Sequence, residues 1–323
     1  MAAEHSLLDV RDLRVTFSMR QTELTAVEKT TFTLEPGQRL GLVGESGAGK
    51  SITGFGIINL IPKPGRISGG SIRFQGTELT TLPEEKMRQI RGNRISMIFQ
   101  DPMMTLNPVL TIGTQMVETL LAHKNITRKE AERISRKKLG QVAIPSPEKR
   151  LKQYPHEFSG GMRQRIVIAI ALLTNPSLIV ADEPTTALDV TIQADIMELL
   201  LHLCENEHMG LILITHDLAV VSQVTQKIAV MYAGRIVELG DANQVVENPQ
   251  HPYTKGLLAA LPQGVERGRK LNQIPGVMPG LSSMPPGCPF HNRCSRCEEI
   301  CRSRSPILED KETGCLAACH LLE

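Results

Sequence analysis

The feature that most constrains the fold of this 323-residue chain is one glycine-rich segment, Gly44-Glu45-Ser46-Gly47-Ala48-Gly49-Lys50-Ser51. It matches the phosphate-loop pattern G-x-x-x-x-G-K-[ST] in full. The apolar run Leu40–Val43 before it predicts a buried strand, and Ile52–Ile61 after it predicts a helix. Glycines let backbone N–H groups converge on phosphate oxygens, and a helix N-terminus adds favourable partial charge. The segment therefore predicts a nucleotide site, in which Lys50 contacts the β- and γ-phosphates and the Ser51 hydroxyl binds Mg²⁺.

Two acidic residues follow a second predicted strand. Leu178–Ala181 is a short apolar run with prolines close by on both sides, which is typical of a fully buried parallel strand. Asp182 ends this strand and suits the Mg²⁺ shell, in the role of a Walker-B aspartate. Glu183 comes next, at the strand end where open α/β sheets bind their ligands. A carboxylate there can polarise the attacking water as a general base, which contributes about 10²–10⁴ in rate.

Two further polar residues end predicted strands. His216 follows the apolar run Gly210–Thr215 and would contact the γ-phosphate or the attacking water. Gln100 follows Ile95–Phe99 and suits the metal and the water. A lone histidine is more often structural because its side chain has many uses. The position of His216 at a strand end, in a chain with a complete phosphate loop, favours the functional interpretation.

A second glycine-bearing loop, Ser159-Gly160-Gly161, lies between the phosphate loop and the acidic pair. The segment Met162–Leu173 after it predicts a helix, which places the loop at a helix N-terminus, where anions bind favourably. The surrounding region, residues 107–165, is predicted to be mainly helical. Its basic helix, Thr127–Leu139, contains interrupting acids, so a solvated face is favoured over nucleic-acid binding.

These motifs resemble those of the ABC-type ATPases, the nucleotide-binding subunits of ABC transporters, over about residues 7–260. The family's elements occur in order: the phosphate loop Gly44–Ser51, the Q-loop residue Gln100, the signature Ser159-Gly160-Gly161, Asp182 and Glu183, the D-loop Ala187-Leu188-Asp189, and the switch histidine His216. The resemblance implies an α/β P-loop NTPase core with an N-terminal antiparallel β subdomain and a helical subdomain at about 107–165. The signature departs from the commonest Leu-Ser-Gly-Gly-Gln at Phe158 and Met162, which spares the serine and both glycines.

The resemblance also assigns roles that one chain cannot fulfil alone. Ser159, Gly160, Gly161 and Asp189 would meet the ATP of a second subunit, which implies a head-to-tail dimer with two ATP molecules in its interface. Phe17 lies where the family places an aromatic residue that stacks on adenine. A core strand position explains Phe17 equally well.

Composition and charge are typical of a cytosolic enzyme. The chain is 41% hydrophobic, which supports a substantial core, and its net charge of +2 provides no general electrostatic attraction to DNA or RNA. Its apolar runs are far shorter than the ~20 residues that cross a bilayer. The N-terminal residues lack a basic and then apolar export signal. A membrane role is therefore expected to depend on partner proteins.

The last sixty or so residues contain an unusual concentration of thiols. After a Pro/Gly-rich linker, roughly Pro262–Gly287, come six of the seven cysteines: Cys288, Cys294, Cys297, Cys301, Cys315 and Cys319. A cytosolic chain is not expected to keep them as disulfides. Clustered thiols in a reducing compartment indicate a metal, either Zn²⁺ or an iron–sulfur cluster. We therefore divide the chain into a nucleotide-binding domain, residues 1–260, and a linker with a cysteine-rich extension, residues 261–323.

The C-terminal segment resembles one particular group within the ABC-type ATPases. His251-Pro252-Tyr253-Thr254, together with Gly287–Cys294 and the terminal Ala318-Cys319-His320, resembles the ATPases of oligopeptide and dipeptide importers, whose relatives serve nickel uptake. Members of that family carry cysteines that match Cys288, Cys294, Cys301 and Cys319, and some bind a [4Fe–4S] cluster there. Cys297 and Cys315 are additional to that pattern.

The resemblance implies an importer ATPase that is peripheral to the cytoplasmic face of a bacterial inner membrane. Its partners would be a second, related but different ATPase subunit, two transmembrane permease subunits and an extracytoplasmic peptide-binding protein, with no nucleic acid. Two alternatives are a nickel importer of the same family and a soluble ABC ATPase that acts on nucleic acid or ribosomes. Intact Glu183 and His216 count against a third, a regulatory module without catalysis.

Overall fold

The structure is a computed structural model that describes residues 6–20, 22–186, 188–261, 272–310 and 314–322. The chain forms two compact units. The first contains residues 1–34, 39–80 and 213–323, and the second contains residues 35–38 and 81–212. Ala187 of the predicted D-loop and residues 262–271 of the predicted linker lie outside the described residues. The domain boundary at residue 260 stays a prediction.

Strands occur along most of the described sequence. At the functional loops the observed strands end at Val43, Ile98, Asp182 and Thr215, each within one residue of the predicted end. The strands are β1 (Leu8–Ser18), β2 (Glu23–Leu34), β3 (Arg39–Val43), β4 (Gly65–Phe74), β5 (Thr77–Glu78), β6 (Ile95–Ile98), β7 (Leu178–Asp182), β8 (Gly210–Thr215), β9 (Lys227–Tyr232), β10 (Arg235–Asp241), β11 (Glu309–Asp310) and β12 (Leu316–Ala317).

Helices fill most of the segments between these strands. Among the described residues, none combines the length and apolar character that a bilayer crossing requires. The helices are α1 (Lys50–Ile57), α2 (Glu84–Ile90), α3 (Pro102–Thr105), α4 (Ile112–His123), α5 (Arg128–Gln141), α6 (Pro147–Arg150), α7 (Gly160–Ala171), α8 (Val190–Asn206), α9 (Leu218–Val224), α10 (Ala242–Glu247), α11 (Pro252–Ala259) and α12 (Glu299–Ser303), with short 3₁₀ turns at Pro155–Glu157, Leu281–Ser283 and His291–Arg293.

The first unit contains the predicted N-terminal antiparallel sheet. Its strand order is β2-β1-β4-β5, with β1 antiparallel to both β2 and β4. The buried apolar side chains of β1, including Leu8, Val10, Leu13 and Val15, supply its part of the core. The prediction of an antiparallel β subdomain is therefore confirmed.

A second group of strands in the first unit supports the phosphate loop. β3 runs parallel to β9, and β9 pairs antiparallel with β10 in a hairpin. Four of the five residues of β3 are buried, as expected for a central strand. The C-terminal extension continues this group, because β12 pairs with β10 through Glu238↔Ala317 and Leu239↔Leu316. The extension is therefore built into the strands of the first unit.

The second unit combines a parallel strand pair with the predicted helices. β6 and β7 are parallel, from Ile95↔Leu178 to Ile98↔Ala181, and every residue of β7 is buried. Threonines begin two of the helices, because the side chains of Thr111 and Thr127 accept hydrogen bonds from backbone N–H groups in the first turn. Buried apolar side chains of α7, including Ile166 and Ile168, contribute to the core of this unit. The mainly helical character of residues 107–165 is confirmed.

Candidate nucleotide site

The glycines of the phosphate loop are required by its geometry. A Cβ atom on Gly44 would lie 2.1 Å from the carbonyl oxygen of Met231, a distance that no side chain tolerates. Gly47 and Gly49 have φ angles of +82° and +102°, which favour glycine. The N–H of Ala48 closes a turn onto the carbonyl of Glu45 over 3.1 Å. Close packing therefore fixes the loop between β3 and α1.

Lys50 lies inside this loop. Its side chain is buried, and its Nζ donates to the carbonyls of Gly44 and Glu45 over 2.8 and 3.0 Å. Lys50 is also the first residue of α1, whose N-terminus adds favourable partial charge for an anion. Ser51 follows in the first turn. The loop therefore holds an ammonium group and a helix N-terminus together, which is the chemistry that binds nucleotide phosphates.

The first unit also contains two other predicted site residues. His216 is exposed, in the turn between β8 and α9, and Asp217 beside it caps α9 by accepting from the N–H groups of Ala219 and Val220. Phe17 is half-buried in β1, and a Cβ atom on Gly65 would lie 2.7 Å from its ring. This close contact explains Phe17 as a strand residue that packs on β4. Its stacking on adenine stays a prediction, as does the contact of His216 with phosphate.

The second unit brings two predicted site residues, Gln100 and Glu183, into contact. The Nε2 of Gln100 donates to the Oε2 of Glu183 over 3.2 Å, and the hydroxyl of Thr186 donates to the same oxygen over 2.8 Å. Glu183 has a φ angle of +44°, which is uncommon for a residue with a side chain and is often found at functional sites. Asp182, before it, is almost completely buried at the end of β7. The local geometry therefore holds the Glu183 carboxylate in one orientation.

The signature loop lies at a helix N-terminus, as predicted. Ser159 is the N-cap of α7, and its hydroxyl accepts from the N–H of Met162 over 3.4 Å. Gly161 is buried, and a Cβ atom there would approach the side chain of Ile192 to 2.9 Å. A Cβ atom on Gly160 would lie 3.5 Å from Leu188 of the D-loop. Asp189, the N-cap residue of α8, is exposed. The signature and the D-loop are thus neighbours.

The cysteines of the extension fall into two groups. Burial, together with the neighbouring thiols Cys301, Cys319 and Cys294, raises the pKa of the Cys288 thiol to about 11. Burial likewise raises the pKa of Cys294 and of Cys319, and in both cases other thiols of this group add to the effect. Among the described residues, however, no group of three or more His, Cys, Asp or Glu side chains is arranged to hold a metal ion.

Cys315 belongs to a different environment. Its Sγ lies 3.6 Å from the carboxylate of Glu238, and burial followed by this carboxylate raises the pKa of the thiol to about 12. Glu238 is itself completely buried and accepts from the N–H groups of Gln250 and His251. Cys315 therefore shares the Glu238 carboxylate with the backbone N–H of His251, at the start of the His-Pro-Tyr segment.

The His-Pro-Tyr segment reaches the phosphate loop, which the sequence analysis did not anticipate. The Nδ1 of His251 accepts from the N–H of Tyr253 and so begins α11, with Pro252 at its first position. The hydroxyl of Tyr253 accepts from the backbone N–H of Glu45 over 2.9 Å. No local pattern indicates this contact, because Tyr253 lies 208 positions from Glu45 along the chain.

Comparison with known proteins agrees with these features. The sequence model of the ABC transporter family matches residues 27–186, and that of the oligopeptide/dipeptide transporter C-terminal region matches residues 237–301. The chain is 51% identical over 314 residues to the oligopeptide transport ATP-binding protein OppD of Escherichia coli (strain K12), covering 97% of this chain and 93% of that protein. It is 48% identical to the dipeptide transport ATP-binding protein DppD of Haemophilus influenzae, covering 94% and 92%.

Solved structures show the same fold. A dimeric ATP-binding cassette with bound ADP and phosphate has a TM-score of 0.64 and 24% identity, covering 73% of this chain and 98% of the other. CbiO1 from Clostridium perfringens gives the same TM-score and identity, covering 76% and 92%. Fold and phosphate loop thus define an ATP-binding-cassette ATPase. The chain belongs to the ABC transporter family, in the group of peptide-transport ATP-binding proteins, and the resemblance predicted from its motifs is confirmed.

Proposed function

We propose that this chain is the ATP-hydrolysing subunit that powers an importer of oligopeptides or dipeptides. The observation that carries the proposal is its identity of 51% with an oligopeptide transport ATP-binding protein across 97% of its length. The similarity extends beyond the ATPase core, since the C-terminal region characteristic of oligopeptide and dipeptide transporters matches as well.

The residues act as follows in this proposal. Lys50 exchanges the carbonyls of Gly44 and Glu45 for the β- and γ-phosphates. Ser51, Asp182 and Gln100 would hold Mg²⁺, which would neutralise phosphate charge. Glu183 accepts a proton from the attacking water, and its bond from Gln100 orients the carboxylate for this step. His216 contacts the γ-phosphate and responds to its loss. Phe17 stacks on adenine.

The signature acts on the ATP of a neighbouring subunit. In the proposed dimer, the exposed Ser159 and the N-terminus of α7 face the γ-phosphate bound by the partner, and Asp189 approaches the same interface. The neighbour is a related but different ATPase. ATP binding closes the pair and hydrolysis reopens it, which moves two permease subunits that receive peptide from an extracytoplasmic binding protein. The chain is then peripheral, on the cytoplasmic face of a bacterial inner membrane.

We also propose that Cys288, Cys294, Cys301 and Cys319 bind a [4Fe–4S] cluster that holds the extension together. Their thiols influence one another electrostatically, whereas Cys315 lies against Glu238. Four thiolates are the usual ligands of such a cluster. Because the side chains do not form a ready metal group in this structure, binding would require the thiols to converge. Zn²⁺ is the alternative for the same donors.

Anaerobic purification tests the cluster. We expect a brown protein with about four irons per chain. Cys288→Ser should lose most of the iron, whereas Cys315→Ser should keep it. A colourless protein that contains zinc would show that the site binds zinc and not iron. A protein without metal would show that these cysteines do not form a metal site.

Transport itself is tested with the intact complex. A tag on this chain should recover permease subunits from membranes, and vesicles that contain the complex and its binding protein should accumulate peptide only with ATP. Accumulation of nickel instead of peptide would indicate the other substrate class. Recovery of ribosomes or nucleic acid instead of permeases would contradict the importer.

A further inference from the structure

We propose that Arg293 and Tyr253 are positioning residues of the phosphate loop, which they hold through Glu45. The proposal rests on ATP binding by this loop. It adds a role for the C-terminal part of the chain that is separate from any metal bound there. Three contacts within the first unit carry it.

The first contact is an ion pair. Two guanidinium nitrogens of Arg293 donate to the two carboxylate oxygens of Glu45, over 2.6 and 2.9 Å. The side chain of Arg293 is only 5% exposed and that of Glu45 is 32% exposed, so solvent screens this pair less than a pair in which both side chains are exposed. Bidentate pairing of this kind fixes geometry as well as charge. The carboxylate at the second position of the phosphate loop is thus held from the extension.

Arg293 is itself held rigidly. Its Nε donates to the carbonyl of Pro275 over 2.9 Å, and its guanidinium lies 5.8 and 6.0 Å from the ring centroids of Tyr232 and Phe290. These rings pack edge to face on each other at 5.2 Å. These contacts leave the Arg293 side chain few accessible rotamers. Arg293 can therefore act as a fixed support for the loop.

The second contact reaches the backbone of the same residue. The hydroxyl of Tyr253 accepts from the Glu45 N–H, while the Glu45 carbonyl accepts from the N–H of Ala48 and from the Lys50 Nζ. The N–H, the carbonyl and the carboxylate of Glu45 are therefore all engaged. Tyr253 is completely buried, and its ring packs on that of Tyr232 at 4.7 Å.

The third contact lies one turn further along the loop. A Cβ atom on Gly47 would lie 3.1 Å from the terminal methyl of Met278, so the segment that begins at Pro275 touches the loop directly. Arg293 holds that segment through the carbonyl of Pro275 and the loop through Glu45. A substitution at Arg293 should consequently disturb the directions of the loop's N–H groups, on which phosphate binding depends.

The simplest alternative is that the ion pair only anchors the tail. Mg-ATP binding to the full chain distinguishes this alternative from the proposed positioning role. Titration calorimetry measures the binding, and thermal unfolding checks that each variant is folded. Because phosphate affinity depends on the directions of the loop's N–H groups, we expect Arg293→Gln to raise the Kd and KM for ATP by about 10-fold or more, which corresponds to roughly one lost hydrogen bond. Arg302→Gln, an exposed arginine of the same extension, is the matched control and should bind as wild type does.

Two further variants complete the test. Arg293→Lys keeps the positive charge but lacks the planar group that donates to both carboxylate oxygens of Glu45, so it should restore ATP binding only in part. Glu45→Gln combined with Arg293→Gln should bind no worse than Arg293→Gln alone, because the two side chains act together. A folded Arg293→Gln variant with the wild-type Kd for ATP would overturn the proposal. A variant that unfolds at a lower temperature but whose folded fraction keeps the wild-type KM would overturn it as well. If Arg293→Gln does not fold, Tyr253→Phe keeps the ring packing, and an unchanged Kd there would overturn it equally. Binding by the wild-type chain separates these results from a failure of ATP binding itself.

Discussion

Gln100 and Glu183 share a hydrogen bond of 3.2 Å from the Nε2 of the amide to the Oε2 of the carboxylate. The two residues follow β6 and β7, which are neighbouring parallel strands. Parallel strands carry their carboxyl ends to the same edge, so residues far apart in sequence meet there. The bond links Gln100, which we propose for the Mg²⁺ shell, with Glu183, which we propose as the base that activates water.

The first prediction concerns Glu183 as the general base. Glu183→Gln keeps the size and the hydrogen-bonding ability of the side chain but removes its basicity. We expect kcat for ATP hydrolysis to fall by about 10²–10⁴-fold while ATP binding is retained. Glu198→Gln, on an exposed position of α8, should hydrolyse ATP at the wild-type rate. Steady-state phosphate release measures both, and near-normal turnover of Glu183→Gln would assign the base elsewhere.

The second prediction concerns Lys50. Lys50→Met fills the same buried space without the ammonium group that now bonds to Gly44 and Glu45. We expect kcat/KM for ATP to fall by about 10²-fold or more, because a preorganised charge in a desolvated site is lost. Lys86→Met, at an exposed position of α2, provides the control. Equal ATP affinity of Lys50→Met and wild type would exclude Lys50 from phosphate binding.

The third prediction concerns the close packing of the phosphate loop. Gly44→Ala would place a methyl group 2.1 Å from the carbonyl of Met231, so we expect it to lower the free energy of unfolding by about 1–3 kcal/mol and to weaken ATP binding. Gly140→Ala is the matched control. A Cβ atom there meets nothing within 4 Å, and in helix α5 it should stabilise by about 0.5–1 kcal/mol. Denaturant unfolding of both variants checks this; a Gly44→Ala variant as stable as wild type would contradict the geometry.

The fourth prediction concerns His251. Burial lowers the pKa of this imidazole to about 3, against about 6.5 in the unfolded chain. The unfolded state therefore binds the extra proton below pH 6.5, and the free energy of unfolding should fall as pH decreases from 6.5 towards 3. The loss should reach about 2 kcal/mol at pH 5. No contribution from His251 is expected above pH 6.5.

The variant that isolates this effect is His251→Asn, because asparagine also caps a helix but does not titrate in this range. Its unfolding free energy should depend less on pH between 7 and 5 than that of wild type. His156→Asn, at an exposed position, should keep the wild-type dependence. Identical pH profiles for His251→Asn and wild type would show that folding does not lower the pKa of His251.

The sequence predicts the parts of this protein that local patterns determine. The strand before Gly44, the strand that ends at Asp182 and the helix after Ser159 all follow from apolar runs and their flanking residues. Phe17 is harder, because one aromatic side chain in a strand fits both a core position and a stacking position. The structure adds its tight packing on Gly65.

The contacts of Glu45 could not be predicted in the same way. Tyr253 and Arg293 lie 208 and 248 positions away along the chain, and nothing in their local sequence indicates a common partner. Only the pairing of β12 with β10 and the packing of the aromatic rings bring them to the phosphate loop. Long-range packing of this kind leaves no periodic pattern in the sequence.

ATP turnover by the intact importer complex, with and without peptide, tests the central claim most directly. The complex is recovered through this chain and placed in vesicles with its binding protein. We predict that oligopeptide or dipeptide raises the turnover of the wild-type complex and that Glu183→Gln abolishes the stimulated rate. Turnover that peptide leaves unchanged, or a peptide-stimulated rate that survives Glu183→Gln, would contradict the account.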